Sequence, residues 1–288
     1  MCIELLEAHG QGGGCAEDDA SWTYENGFLF ADAGEAYVLE TAGVRCWALE
    51  RVPPGTWRNI SNGLSIRTNI HSHSAGLREM CRDRGWWDGA SDFDWKRCLG
   101  VGGRTHASLA VSGRERAGAS HLARMQRDAA SGALRPDDAQ AWLGAMMGVL
   151  RDDCSGICFR DVHGFCSTGS QVSWISNAPH GGSQHLFTGA SDPVYTSYKH
   201  FTFATAPKGA TTHGTRELWD AWRHMALQGI SPDSELRVEV ARIEKASLDH
   251  SNIIAPGGVA AQNRPDFAAA VAAELKAVQE MAKRAQEH

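Results

Sequence analysis

Thiols, imidazoles and one amide are the groups in this sequence whose types and spacing could do chemistry. Cys2 follows the first methionine, so methionine removal would expose a terminal thiol. Its own α-amine, with an ordinary pKa near ~8, could then serve as base in attack on an amide. Against this, Ile3-Glu4-Leu5-Leu6-Glu7 reads as a helix closed by Gly10, whereas a nucleophile of this kind begins a buried strand. Cys154, Cys158, His163 and Cys166 form CxxxCxxxxHxxC, an order that resembles a zinc knuckle with different cysteine spacings. SGICFRD within it alternates like a strand, which would send Cys158 and Arg160 to one face and Phe159 to the other, so these thiols read as structural and no metal is expected. The pairs His71 and His73, and His180 and His185, lie in polar, loop-like settings without a carboxylate at helical spacing, and read as solvated. Asn62, in NISNGLSI, could donate to a developing oxyanion or cap a turn, and the residues alone favour the turn.

The elements that must position these groups are legible in outline. FLFADAG, EAYVLETAG and VRCWALERV are short apolar runs separated by Gly and small polar residues, the pattern of an antiparallel meander, and WRNISNGLSI continues in the same style. LREMCRDRGWWDG reads as a helix stopped at Gly85 with Trp86 and Trp87 as apolar anchors. Residues 99–120, rich in Gly, Arg and Ser, read as a surface loop. Helices follow over 121–130 and from Pro136, the second presenting Trp142, Met146, Met147 and Leu150. SGICFRD, GSQVSWIS, SQHLFTG and TSYKHFTF form a second block of strands. Residues 215–288 form a helical C-terminal part: one helix with Leu218, Trp219, Trp222 and Met225, a second capped by Ser231 ahead of Pro232, and an Ala-rich third from about Asp266 to Gln286.

Composition excludes several classes. A formal net charge of -6 leaves no basic field for a phosphate backbone, so no nucleic acid is expected. No apolar run approaches the ~18 to 20 residues of a membrane span, and the first residues lack the regions of a signal peptide, so a cytoplasmic location is expected. HExxH, P-loop and GxSxG motifs are absent, and no cofactor is expected. The eight cysteines are too sparse for a secreted disulfide scaffold and read mostly as small buried apolar groups.

EAYVLETAGVRCWALERV followed by RNISNGLSI resembles the secernin family, whose members carry a similar run of strand residues ending in an RNISNQLSI-like motif. LLEAHGQGG, RGWWDG with FDW just after it, MMGVLRDDCSGIC, STGSQVSWI, HLFTGASDPVYTSYKHF and RELWDAW also resemble secernin segments and occur in the family's order, spanning Leu5 to Leu248. Secernins are similar to cysteine dipeptidases of the N-terminal-nucleophile hydrolase superfamily. The resemblance implies an α+β protein with one αββα sandwich domain over 1–288 and a dipeptide or small amide as substrate. A processed terminal cysteine would attack the carbonyl while backbone and Asn donors hold the oxyanion.

Three residues take roles from the resemblance. Asn62 matches the Asn of the family's ISN motif and becomes an oxyanion or substrate-positioning donor, while Glu40 and Trp47 match its VLET and W-A motifs and support the substrate-binding walls. His200 stands in SYKHF where the family usually has Pro. On this matching Cys2 falls inside a helix, the nucleophilic cysteine is expected on a segment before Met1, and the chain by itself is expected to be inactive. Unpaired sheet edges would then favour association into a homo-oligomer. The alternative is a non-catalytic binding or regulatory protein in secretion, a role attributed to some secernins.

Overall fold

The computed structural model describes residues 1–11, 14, 21, 25–101, 112–160, 166–176, 183–201, 215–249 and 267–286. It is a mixed α+β protein whose chain divides into two compact units, Met1–Leu122 and Ala123–His288. Among the described residues no helix is long and apolar enough to cross a membrane.

In the first unit, α1 (Cys2–His9) is a helix that ends at Gly10, as the apolar spacing anticipates. Gly10 has φ 74°, and a Cβ there would meet Val44 Cγ1 at 2.8 Å, so only glycine lets the chain pass. β1 (Gly27–Ala31), β2 (Ala36–Ala42), β3 (Cys46–Val52) and β4 (Ser72–His73) form an antiparallel sheet in that order. The β1–β2 turn is set by Asp32 Oδ1, which accepts from Gly34 N at 2.7 Å and Glu35 N at 2.9 Å. Alternation along β2 sends Val38, Glu40 and Ala42 to one face and Leu39 and Thr41 to the other. The first face, with Ala48 of β3, packs on Leu64, Ile66, Leu77, Cys81, Phe93, Trp95 and Cys98.

WRNISNGLSI is not a strand. Its apolar residues Ile60, Leu64 and Ile66 do enter the core, but the amides of Ser65 and Ile66 bond to the Glu40 carboxylate instead of a neighbouring strand. α2 (Leu77–Asp83) stops before Gly85, at φ 69°, and both Trp86 N and Trp87 N return to Cys81 O. α3 (Trp95–Val101) was not anticipated; Asp94 Oδ1 caps it by accepting from Arg97 N at 2.9 Å. α4 (Gly113–Ala130) runs from the first unit into the second and corrects the expected loop over 99–120, of which residues 102–111 lie outside the described residues. Ser112 Oγ accepts from Glu115 N at 3.0 Å, a serine cap that the Gly- and Arg-rich composition concealed.

In the second unit, α5 (Ala139–Leu150) starts later than Pro136 suggests, because Asp138 caps it through Ala141 N at 2.9 Å. SGICFRD is also corrected: its described residues 155–160 fold as turns and bends, with Asp152 accepting from Ser155 N and Cys158 N, and form no strand. β5 (Gln171–Trp174), β6 (Gln184–Phe187) and β7 (Lys199–Phe201) make a three-stranded antiparallel sheet. α6 (Thr215–Leu227), α7 (Ser234–Leu248) and α8 (Phe267–Gln286) supply a helical core of Leu218, Trp222, Leu236, Val240, Val271 and Val278. The cap of α7 is Asp233, accepting from Leu236 N at 2.8 Å, where Ser231 was expected.

Candidate functional site

The Asn62 segment leaves the sheet as an irregular loop, and both of its feet are fastened by charge. Glu40, in the middle of β2, is 2% exposed. Its carboxylate accepts from Ser65 N at 2.7 Å, Ser65 Oγ at 2.5 Å, Ile66 N at 3.1 Å and Trp95 Nε1 at 3.1 Å. Four donors fill the acceptor sites of one carboxylate, which is what allows the group to be buried. Ser65 Oγ in turn accepts from Arg58 Nη2 at 2.8 Å, and Arg58 Nε donates to Glu50 Oε2 of β3 at 3.0 Å. A chain of charge-assisted bonds thus runs Glu50, Arg58, Ser65, Glu40, Trp95 and ties the start and end of the loop to adjacent strands.

The loop's other side rests on the first turns of α4. Asn59 Nδ2 donates to Glu115 O at 2.8 Å. Gly118 permits this approach, since a Cβ there would lie 2.7 Å from the Asn59 amide. Ser61 Oγ and Ser112 Oγ are 3.4 Å apart, and the almost wholly buried Lys96 places Nζ 3.6 Å from Glu115 Oε2. Between these anchors, Asn62 is exposed at a bend, followed by Gly63 at φ 117°. Its side chain makes no hydrogen bond among the described residues. An amide held on a fixed loop with its donors free is geometrically suited to receive an oxygen that gains negative charge.

Other candidates take different places. The carboxylate of Glu40 is saturated by the protein itself, so it shapes the loop and has no acceptor site left for a ligand. Trp47 pairs in register with Thr41, and so lies on the opposite sheet face from Glu40. Its Nε1 donates to Glu7 Oε1 of α1 at 2.9 Å. The two residues therefore do not wall one common site. Cys2 sits exposed in the first turn of α1 and does not begin a strand. Cys46, Cys98 and Cys158 have thiols pushed up by burial, and Cys81 is pushed up to about 12. Cys154 is exposed and Cys166 buried. Cys15, His163 and His180 lie outside the described residues, and among those described no group of three His, Cys, Asp or Glu could hold a metal. His71 stacks edge-on against Tyr37, His73 Nδ1 lies 2.9 Å from Ser74 O, and His185 Nδ1 lies 3.0 Å from Ser173 Oγ.

The second unit contains a buried carboxylate hub that sequence reading missed. Glu274 of α8, fully buried, accepts from Thr196 Oγ1 at 2.5 Å, Ser197 Oγ, Trp222 Nε1 at 2.7 Å and Lys199 Nζ at 2.9 Å. Lys199 Nζ also donates to Thr188 O at 2.6 Å and Ser197 O at 2.9 Å. Beside it, Arg151 bridges Glu244, Pro193 O and Thr196 O and lies 4.8 Å over the Tyr198 ring. A signal existed: Glu274 occupies the apolar stripe of α8 with Ala270, Val271, Val278 and Met281, where a charge demands a partner. Glu274 and Lys199 are enclosed, Arg151 and Glu244 are partly buried, and all four are satisfied by protein partners, which makes them structural. No protein-family model matches the chain.

Proposed function

We propose that this chain carries the substrate- and oxyanion-holding part of a secernin-like cysteine dipeptidase, with the αββα sandwich of N-terminal-nucleophile hydrolases. The observation that carries the reading is Asn62, exposed and without a hydrogen bond among the described residues, at the tip of a loop whose feet are locked by Glu40, Arg58 and Trp95. When a peptide carbonyl is attacked, its oxygen gains negative charge, and a donor already in place strengthens its bond without reorganising. Asn62 Nδ2 is assigned that donation; the Glu40 network keeps the loop from yielding. The α+β content, with two antiparallel sheets and helices, is what supports the sandwich reading.

Burial favours the protonated thiol at Cys46, Cys81, Cys98 and Cys158, and the exposed Cys2 lies in α1 and not at a strand start, so none of these five is assigned the attacking thiolate in this reading. With no attacking thiolate assigned, this reading expects the chain to bind a dipeptide or small amide without cleaving it. Calorimetric titration with a dipeptide panel tests this: saturable binding, weakened about tenfold in Asn62→Ala while stability changes by less than ~0.5 kcal/mol, supports the assignment. Absence of binding to every dipeptide ends it. The burial of those four thiols also suits the alternative reading, a non-catalytic binding or regulatory protein in secretion, for which dipeptides would not bind and Asn62→Ala would instead weaken a protein contact.

A further inference from the structure

We propose that β1 is a dimerisation edge, which pairs antiparallel with β1 of a second copy of this chain about a twofold axis at Leu29. Thr41 N donates to Asn26 O, so Asn26 turns its main-chain groups toward β2. By alternation Phe28 and Phe30 do the same, in register with Leu39 and Tyr37, while Gly27, Leu29 and Ala31 turn theirs outward. Among the described residues nothing pairs with this outer edge. All five β1 residues are exposed, with Phe28 at 44%, Leu29 at 57% and Phe30 at 40%.

Edge strands ordinarily carry a lysine, a proline or a bulge that blocks further pairing, and GFLFA has none of these. What it has is self-complementarity. With Leu29 on the axis, Leu29 pairs with Leu29 of the second copy, Gly27 with its Ala31 and Ala31 with its Gly27, so every outward N–H and C=O of the strand finds a partner. Phe28 then lies opposite Phe30 of the second copy at a narrow, non-hydrogen-bonded pair, and the Phe28–Phe30 contact, 6.0 Å between centroids, extends into a four-ring ladder. Beyond the strand, Asn26 faces Asp32 and Glu25 faces Ala33, so no like charges meet across the axis. Main-chain pairing would suit any extended segment; the facing of Phe28 by Phe30 in both halves is what favours a second copy. Five residues a side is far below the ~20 to 30 of a standard interface, so a weak dimer is expected, with a dissociation constant on the order of tens of micromolar or above.

Light scattering coupled to size exclusion across a concentration series tests the proposal, together with hydrogen exchange at the Leu29 and Ala31 amides. The expected result is a monomer–dimer equilibrium in which those two amides gain protection as concentration rises. Leu29→Pro removes an outward donor and Leu29→Lys sets two ammonium groups against each other; neither touches the inward bonds to β2, and each should raise the dissociation constant at least about tenfold. A wild-type chain that stays monomeric throughout overturns the proposal, as does a dimer that persists in both variants. Should a variant unfold, the exchange experiment on the unaltered chain still decides: protection at Leu29 and Ala31 independent of concentration rules the edge out.

Discussion

At the residue scale, the buried carboxylate of Glu40 does what a strand neighbour would otherwise do: it gives the Ser65 and Ile66 amides an acceptor and so lets the chain leave the sheet without orphaned donors. Glu40→Gln keeps the shape but turns an amide NH₂ toward donors. Loss of roughly 2 to 4 kcal/mol of stability is expected in urea titration, against about 1 kcal/mol for Ser65→Ala, which leaves three of the four bonds. Equal losses for the two would mean that the carboxylate is not the hub. Tyr198 offers a second check. Burial pushes its phenol up to about 12, while Arg151 and the Ser170 hydroxyl pull the other way. The folded state thus holds this proton more tightly than the unfolded state, near 10, so the contribution is complete below that pH and is lost as pH rises toward 12. Tyr37 is raised as well, by its bond to Glu35, so ultraviolet titration of the phenolates should show a late component that Tyr198→Phe reduces and does not abolish.

At the element scale, helix starts are decided by which side chain reaches the free amides of the first turn. Asp233 caps α7 through Leu236 N and also meets Arg284 near the end of α8 at 2.8 Å. Asp233→Ala is expected to cost about 1 kcal/mol. The Leu236 amide and the Arg284 guanidinium hold its carboxyl below the usual range, so this stability is present above the unfolded-state pKa and is lost as pH falls through the folded one. Thermal melts of the two proteins should converge in acid; a constant gap would argue that only packing was changed. The same competition explains what sequence could not reveal. β1, β2 and β3 were legible because alternation and turn residues act locally. The course of WRNISNGLSI was not, because its fate depends on Glu40, distant in the chain; α3 and the first turns of α4 hid behind short length and glycine. Asn62 could be singled out by type and motif, but the fact that its loop is held at both feet by Arg58 and Ser65 emerges only from three-dimensional contacts.

At the scale of the whole molecule, charge sets how two copies meet. The chain carries a formal -6 at pH 7 and has an isoelectric point near 6.1. Copies approaching through β1 therefore repel at pH 8 and cease to do so near pH 6. β1 itself has no titratable side chain. Of the groups that face it, Asp32 is held below the usual carboxyl range by the Gly34 and Glu35 amides and Tyr37 is raised by its bond to Glu35, so neither changes charge in this window. Glu25, Glu35, Arg51 and the His71 ring against Tyr37 are the other such groups among the described residues. Tightening of the dimer as pH falls should consequently be a long-range effect of net charge, and raising salt at pH 8 should reproduce it, since screening shortens the reach of charge to about 10 Å at 0.1 M. Sedimentation at two pH values, each at low and high salt, separates the causes: a pH dependence that survives high salt would show that net charge does not govern the dimer.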